Sequence, residues 1–136
     1  MATMLKDKAE ILCDDRIIVR KPSTKNRAPK TEDRTPHTGF RIYGTWSHGE
    51  VPDVSPNSAP LKAILFLEKA KENRLIPISD KKETTRRLLE CLIKPFVTAD
   101  WWEKTLSLVD KVVEEVPCYV LRFDKSGRVV GLLEKL

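Results

Sequence analysis

Asp14 and Asp15 stand where one short apolar run, Ala9–Cys13, stops and a second, Arg16–Arg20, begins. A carboxylate at the carboxyl end of a buried strand is where nucleotide-binding sheets put the group that holds Mg²⁺ or orients a nucleophile, because the cation needs hard oxygen ligands beside the phosphates. The same pair also suits a hairpin turn, since Asp side chains bond nearby backbone and tolerate turn conformations. A nucleotide site needs a phosphate cradle as well. The glycine spacing of a P-loop occurs twice, from Gly39 to Gly44 and from Gly44 to Gly49. In that motif the second glycine is followed by a Lys that neutralises phosphate and by Ser or Thr. Here the followers are Thr45-Trp46 and Glu50-Val51, so both are chance matches. His37 and His48 are the only histidines, each in a Pro/Gly-rich segment. With Glu50 or Asp53 near it in sequence, His48 has the chemistry of a general base or a single metal ligand. A solvated loop residue is the simpler reading. Ser47, Ser55 and Ser58 lie in no motif that activates a hydroxyl.

The chain that must position these groups has 136 residues, the size of one domain. It is 40% hydrophobic and 33% charged, against an average near 25% charged. The net charge of +5 is carried wholly by Arg20–Arg41, where seven basic residues face two acids; the remainder is neutral. Such a segment is either a solvated insertion or a phosphate-binding patch. Cys13, Cys91 and Cys118 are odd in number and widely spaced, which indicates neither a disulfide framework nor a zinc knuckle. No apolar run approaches the roughly 20 residues that span a bilayer, and no signal peptide is recognisable, so a cytoplasmic protein is expected.

Two strands, Ala9–Cys13 and Arg16–Arg20, are expected to flank the Asp pair. Lys21–Gly39 is expected to be a basic, Pro-rich flexible loop, and Phe40–Tyr43 a strand paired with Ile17–Arg20 across it. Gly44–Pro60 is turn-rich. Leu61–Leu67 reads as a buried strand, and Arg74–Ile78 as an edge strand because Pro77 cannot donate to a ladder. Two helices follow, Asp80–Lys94 and Thr98–Val116. The stripes are Leu88, Leu89, Leu92 and Ile93 on the first, and Trp102, Leu106, Val109, Val113 and Val116 on the second. Trp102 is expected inside and Trp101 at the rim. Cys118–Phe123 is a strand, Asp124–Gly127 a turn, and Val129–Leu136 a short terminal helix. The helix pair is expected to cover a sheet face containing Ile64, Phe66, Val120 and Leu121. The class is α/β or α+β, a mixed sheet covered by two helices, in one domain over 1–136.

Three stretches in order resemble the later part of HPr-kinase-like proteins. They are Ile11–Arg20 with its Asp14-Asp15, Phe40–Thr45 with Trp46 and His48-Gly49, and Ser58–Ile64 running into Phe66-Leu67-Glu68. The ending Val116–Asp124 with Gly127 is similar to the close of that family. The resemblance implies a partial P-loop kinase fold of the phosphoenolpyruvate-carboxykinase type, with ATP and Mg²⁺ as cofactors of the complete family and a protein serine as phosphoacceptor. It assigns Asp14 and Asp15 to the attacking hydroxyl, Asp15 also to the metal, and the loop carrying Thr45, Trp46 and His48 to the nucleotide's neighbourhood. The family's P-loop precedes its Asp pair, whereas thirteen residues precede Asp14 here. The family reads Gly-Thr-Pro-Trp where this chain reads Gly44-Thr45-Trp46. These departures imply a truncated relative without catalytic activity and with no cofactor of its own. The alternative is an interaction module that forms a homo-oligomer or completes a kinase with a missing N-terminal half. Nucleic-acid binding through the basic loop ranks third, and a membrane partner is not expected.

Overall fold

The computed structural model describes residues 2–5, 8–22, 38–95, 97–134 and 136. Most of the expected basic loop, including His37, lies outside the described residues. The chain divides into two compact units, 1–62 and 63–136. Both mix helix and strand in an α+β manner. No helix among the described residues is long and apolar enough to cross a membrane.

The first unit holds a single-turn helix, α1 (Ala2–Leu5), and three short strands, β1 (Ile18–Arg20), β2 (Arg41–Tyr43) and β3 (Ser58–Pro60). They form an antiparallel sheet in the order β1-β2-β3. The expected pairing across the basic segment is present, with Ile18 opposite Tyr43 and Arg20 opposite Arg41. Ala9–Cys13 is not a strand. Glu10 and the Cys13 thiol are used by side-chain bonds, and one backbone bond, Ser55 N–H to the Leu12 carbonyl at 3.0 Å, ties it to the neighbouring loop. β3 was hidden among the turn-forming residues before Leu61. Its Ser58, Ala59 and Pro60 carry no apolar alternation, and they pair because β2 offers a free edge. Phe40, Val51 and Leu61 are the buried hydrophobic residues of this unit among those described.

The second unit is built on β4 (Ile64–Lys69), β5 (Arg74–Pro77) and β6 (Cys118–Phe123), in the order β4-β6-β5. The central strand β6 pairs parallel with β4 and antiparallel with β5. A parallel pair needs a long crossover, supplied here by β5 and the two helices α2 (Lys81–Cys91) and α3 (Ala99–Glu115). β5 is an edge strand as expected, with Pro77 at its last paired position. β6 is almost continuously apolar because both of its faces are covered. In this register Ile64, Phe66, Cys118 and Val120 share one face, and Leu65, Tyr119, Leu121 and Phe123 the other. Val120 and Leu121 therefore do not belong to one covered face: alternation separates them, and both are buried.

Asp80 caps α2 by accepting from Lys82 N–H, and Thr98 caps α3 by accepting from Trp101 N–H. α2 ends at Cys91, one turn before Lys94, with an extended Leu92 as its cap. It lies on the Phe66 face, where the Arg87 guanidinium sits 5.6 Å from the ring centroid and 3.4 Å from Glu68. Glu68 is also 3.3 Å from Arg122, so one carboxylate ties β4, β6 and α2. α3 packs against α2. Its buried line is Val109, Val112 and Val116, which turns Leu106 outward at 41% exposure and leaves Val113 half-buried. α4 (Val130–Leu133) closes the chain, with Val129 and Val130 buried.

Trp101 and Trp102 are not divided into core and rim. Both are half-buried, their rings edge to face with centroids 4.9 Å apart. Trp101→Ala and Trp102→Ala should therefore each cost about 1–3 kcal/mol, below the roughly 3–5 kcal/mol of a fully buried aromatic. Their coupling should be about 0.5–1.5 kcal/mol. Urea denaturation of both single variants and the double variant measures this, and a loss confined to Trp102 would restore the division.

Candidate functional site

The loop from Gly44 to Asn57 contains no regular structure, so its backbone groups must find side-chain partners. Asp14 supplies two. Its Oδ1 accepts from Gly49 N–H at 2.5 Å and its Oδ2 from Val51 N–H at 2.9 Å. The Val51 bond first, then the Gly49 bond, hold the Asp14 carboxyl below the usual carboxylate range, with a smaller contribution from the charge on His48. Asp15 takes the Ser47 hydroxyl at 2.8 Å and lies 3.3 Å from Arg16 Nε. The two adjacent carboxylates thus grip two points of the same loop.

Cys13 completes the junction. Its thiol donates to the Ser47 carbonyl and its sulfur accepts from Arg16 N–H at 3.2 Å, Asp15 N–H at 3.4 Å and Thr45 Oγ1 at 3.7 Å. Burial pushes the thiol up, but the donors of Arg16, Asp15 and Thr45 outweigh it and leave it below its ordinary value. Thr45 also donates to the Arg16 carbonyl at 2.7 Å and receives Ser47 N–H at 3.3 Å. Farther along, Glu10 accepts from Ser55 Oγ at 2.6 Å and Asn57 Nδ2 at 2.7 Å.

The fold therefore gathers Asp14, Asp15, Thr45 and the backbone beside His48 into one junction. The His48 ring is exposed, its Nδ1 3.4 Å from the Gly49 carbonyl. Trp46 is not drawn in: its side chain is 85% exposed. Among the described residues no group of three or more His, Cys, Asp or Glu is placed to hold a metal. Sequence reasoning passed over Cys13, Ser47 and Val51. Motif spacing carries no trace of them, because their contacts join positions more than 30 residues apart. In the second unit a groove of about 360 Å³ runs between the start of α2 and the end of α3, with Thr84 and Cys118 in its lining. Its charges oppose each other, with Lys81 3.8 Å from Glu114, and burial pushes the Cys118 thiol up.

No protein-family model, curated protein or solved structure matches this chain.

Two glycines hold the junction together by lacking side chains. A Cβ on Gly44 would lie 2.0 Å from the Ser55 carbonyl oxygen and 2.7 Å from that of Leu12, both backbone atoms that cannot swing aside. Gly44→Ala should cost at least about 1–3 kcal/mol, the range for overpacking, in chemical denaturation. At Gly49 the nearest atom would be Asp14 Oδ2 at 3.1 Å, so Gly49→Ala should cost less and act by loosening the clamp.

A lowered carboxyl pKa stabilises the fold above the unfolded value, near 3.9 for Asp, and that stabilisation disappears as pH falls through the lower folded value. The Gly49 and Val51 amide resonances should accordingly hold their positions down to about pH 4 and shift together below it. In Asp14→Asn they should start displaced and lose that transition. Amide shifts that titrate with an unshifted carboxyl would contradict the clamp.

Proposed function

We propose that this chain is an HPr-serine-kinase-like protein, a partial P-loop kinase fold with no phosphoryl-transfer activity of its own. The observation that carries the reading is the use made of the Asp pair. Both Asp14 oxygens accept backbone N–H groups, and Asp15 Oδ2 is shared by Ser47 and Arg16. Carboxylates so engaged organise a loop, and Asp14 in particular has an N–H donor on each oxygen where a general base or metal ligand would hold a proton or cation. Phosphoryl transfer is mostly positioning and neutralisation of phosphate charge. Within these 136 residues no glycine pair is followed by the Lys-Ser/Thr that supplies it. In the complete family ATP and Mg²⁺ would sit beside this loop, with Thr45, Trp46 and His48 near the nucleotide and a protein serine as acceptor. This chain contributes the loop and the carboxylates that shape it. Calorimetric titration of Mg·ATP into the purified chain should show no binding in the micromolar range. A micromolar dissociation constant would overturn the reading.

A second reading, a module that completes its site with another chain, is favoured by exposed apolar side chains in the second unit. Leu67 on β4 is 51% exposed and Val97 before α3 is 87% exposed. Light scattering after size-exclusion chromatography should then report a dimer or larger species. A monomer at all concentrations would remove self-association from this reading.

A further inference from the structure

The three-stranded sheet of the first unit carries a surface that the kinase reading leaves unused. Arg20 stands opposite Arg41, Ile18 opposite Tyr43 and Tyr43 opposite Ser58. Side chains alternate along a strand, so Ile18, Arg20, Arg41, Tyr43 and Ser58 share one face, and Val19, Ile42 and Ala59 the other. Ile18 and Arg20 are exposed. Residues directly opposed across a ladder have Cβ atoms about 4.5–5.5 Å apart, and like charges so placed destabilise the pair. Among the described residues neither arginine has a carboxylate partner; Arg41 donates to Ser58 Oγ at 2.8 Å and to the Ser58 carbonyl at 3.0 Å, both neutral acceptors. Two like charges opposed in this way are relieved by an anion that bridges them.

Aromatic rings accompany the charge. Tyr43, half-buried, follows Arg41 on the same face, and Trp46, three residues beyond, is 85% exposed in a loop fastened at Ser47 and Gly49. A large ring held in water by a tethered loop offers a stacking surface that a purely structural role does not require. Paired guanidinium groups recognise phosphate oxygens, and successive unpaired bases stack on aromatic side chains. An acidic peptide would satisfy the arginines and leave the rings idle; a duplex would hide its base faces. The geometry points to single-stranded nucleic acid as the ligand of this face, with Arg20 and Arg41 on the backbone phosphates and Tyr43 and Trp46 under the bases. Sequence alone ranks nucleic-acid binding last, because basic residues in a row do not reveal that two of them oppose each other beside a tyrosine.

Fluorescence anisotropy of the full chain with a labelled oligothymidylate of about 16 nucleotides, enough for one site, tests the inference. Binding should be present at about 50 mM salt and fall steeply toward about 200 mM. Arg20→Gln should reduce the slope of log affinity against log salt by about 0.7, one phosphate contact on a single strand. Trp46→Ala should weaken binding about 10-fold and leave that slope unchanged. Both side chains are exposed, so the variants should retain the parent circular dichroism; if Arg20→Gln does not, Trp46→Ala decides. Absence of binding at about 50 mM salt would overturn the inference, as would equal competition by oligoglutamate or by duplex of the same charge, or an affinity unchanged in Trp46→Ala.

Discussion

Backbone N–H groups of Gly49 and Val51 end on the Asp14 carboxylate, and the conformation of the whole Gly44–Asn57 loop follows from where those bonds can reach. A stretch without helix or strand still has to satisfy its donors and acceptors. Here the partners are short polar side chains from Glu10–Asp15, with Asp14, Asp15, Cys13 and Glu10 each meeting a different part of the loop. Ala9–Cys13, just before the Asp pair, is irregular because its side chains make most of the connections to the loop. Gly44 is required for the same reason, since two carbonyl oxygens converge where a side chain would be.

The second unit is organised by a different force. β6 lies between β4 and β5 with Leu121 at 0% exposure, and apolar burial on both faces of that strand makes the sheet. Polar contacts there select orientation. Glu68 meets Arg87 and Arg122, while Glu83, pushed down to about 2 by Arg86 and then Arg87, pairs along α2. These pairs are partly exposed and add modestly to stability, and they hold the Arg87 guanidinium near the Phe66 ring.

The two functional readings draw on different parts of the first unit. The kinase-like reading rests on carboxylates turned inward to hold a loop. The nucleic-acid reading rests on the exposed Arg20 and Trp46 and the half-buried Arg41 and Tyr43 of β1, β2 and the same loop. Trp46 belongs to both proposals, and what the structure gives for it is an exposed ring in the loop that follows β2. A loop held by its own side-chain bonds presents whatever it displays, and binding requires only the display.

Several elements were legible in the sequence because their cause is local. The Asp80 and Thr98 caps start helices through bonds within one turn, β6 is apolar but for Arg122, and Pro77 bars β5 from the centre of a sheet. The pairing of β1 with β2 followed from a short apolar run and an alternating one on either side of a basic segment. Other features were decided by tertiary structure alone. Whether Leu106 or Val112 faces inward depends on how α3 is rotated against α2, a choice that two overlapping apolar stripes leave open. β3 has no strand composition and exists because β2 offers an edge. The Asp pair was conspicuous, yet its partners Ser47, Gly49 and Val51 lie more than 30 residues away, and hydrogen bonds over that separation leave no periodicity to read. The opposition of Arg20 and Arg41 likewise comes from strand register, which aligns residues that the chain itself keeps apart.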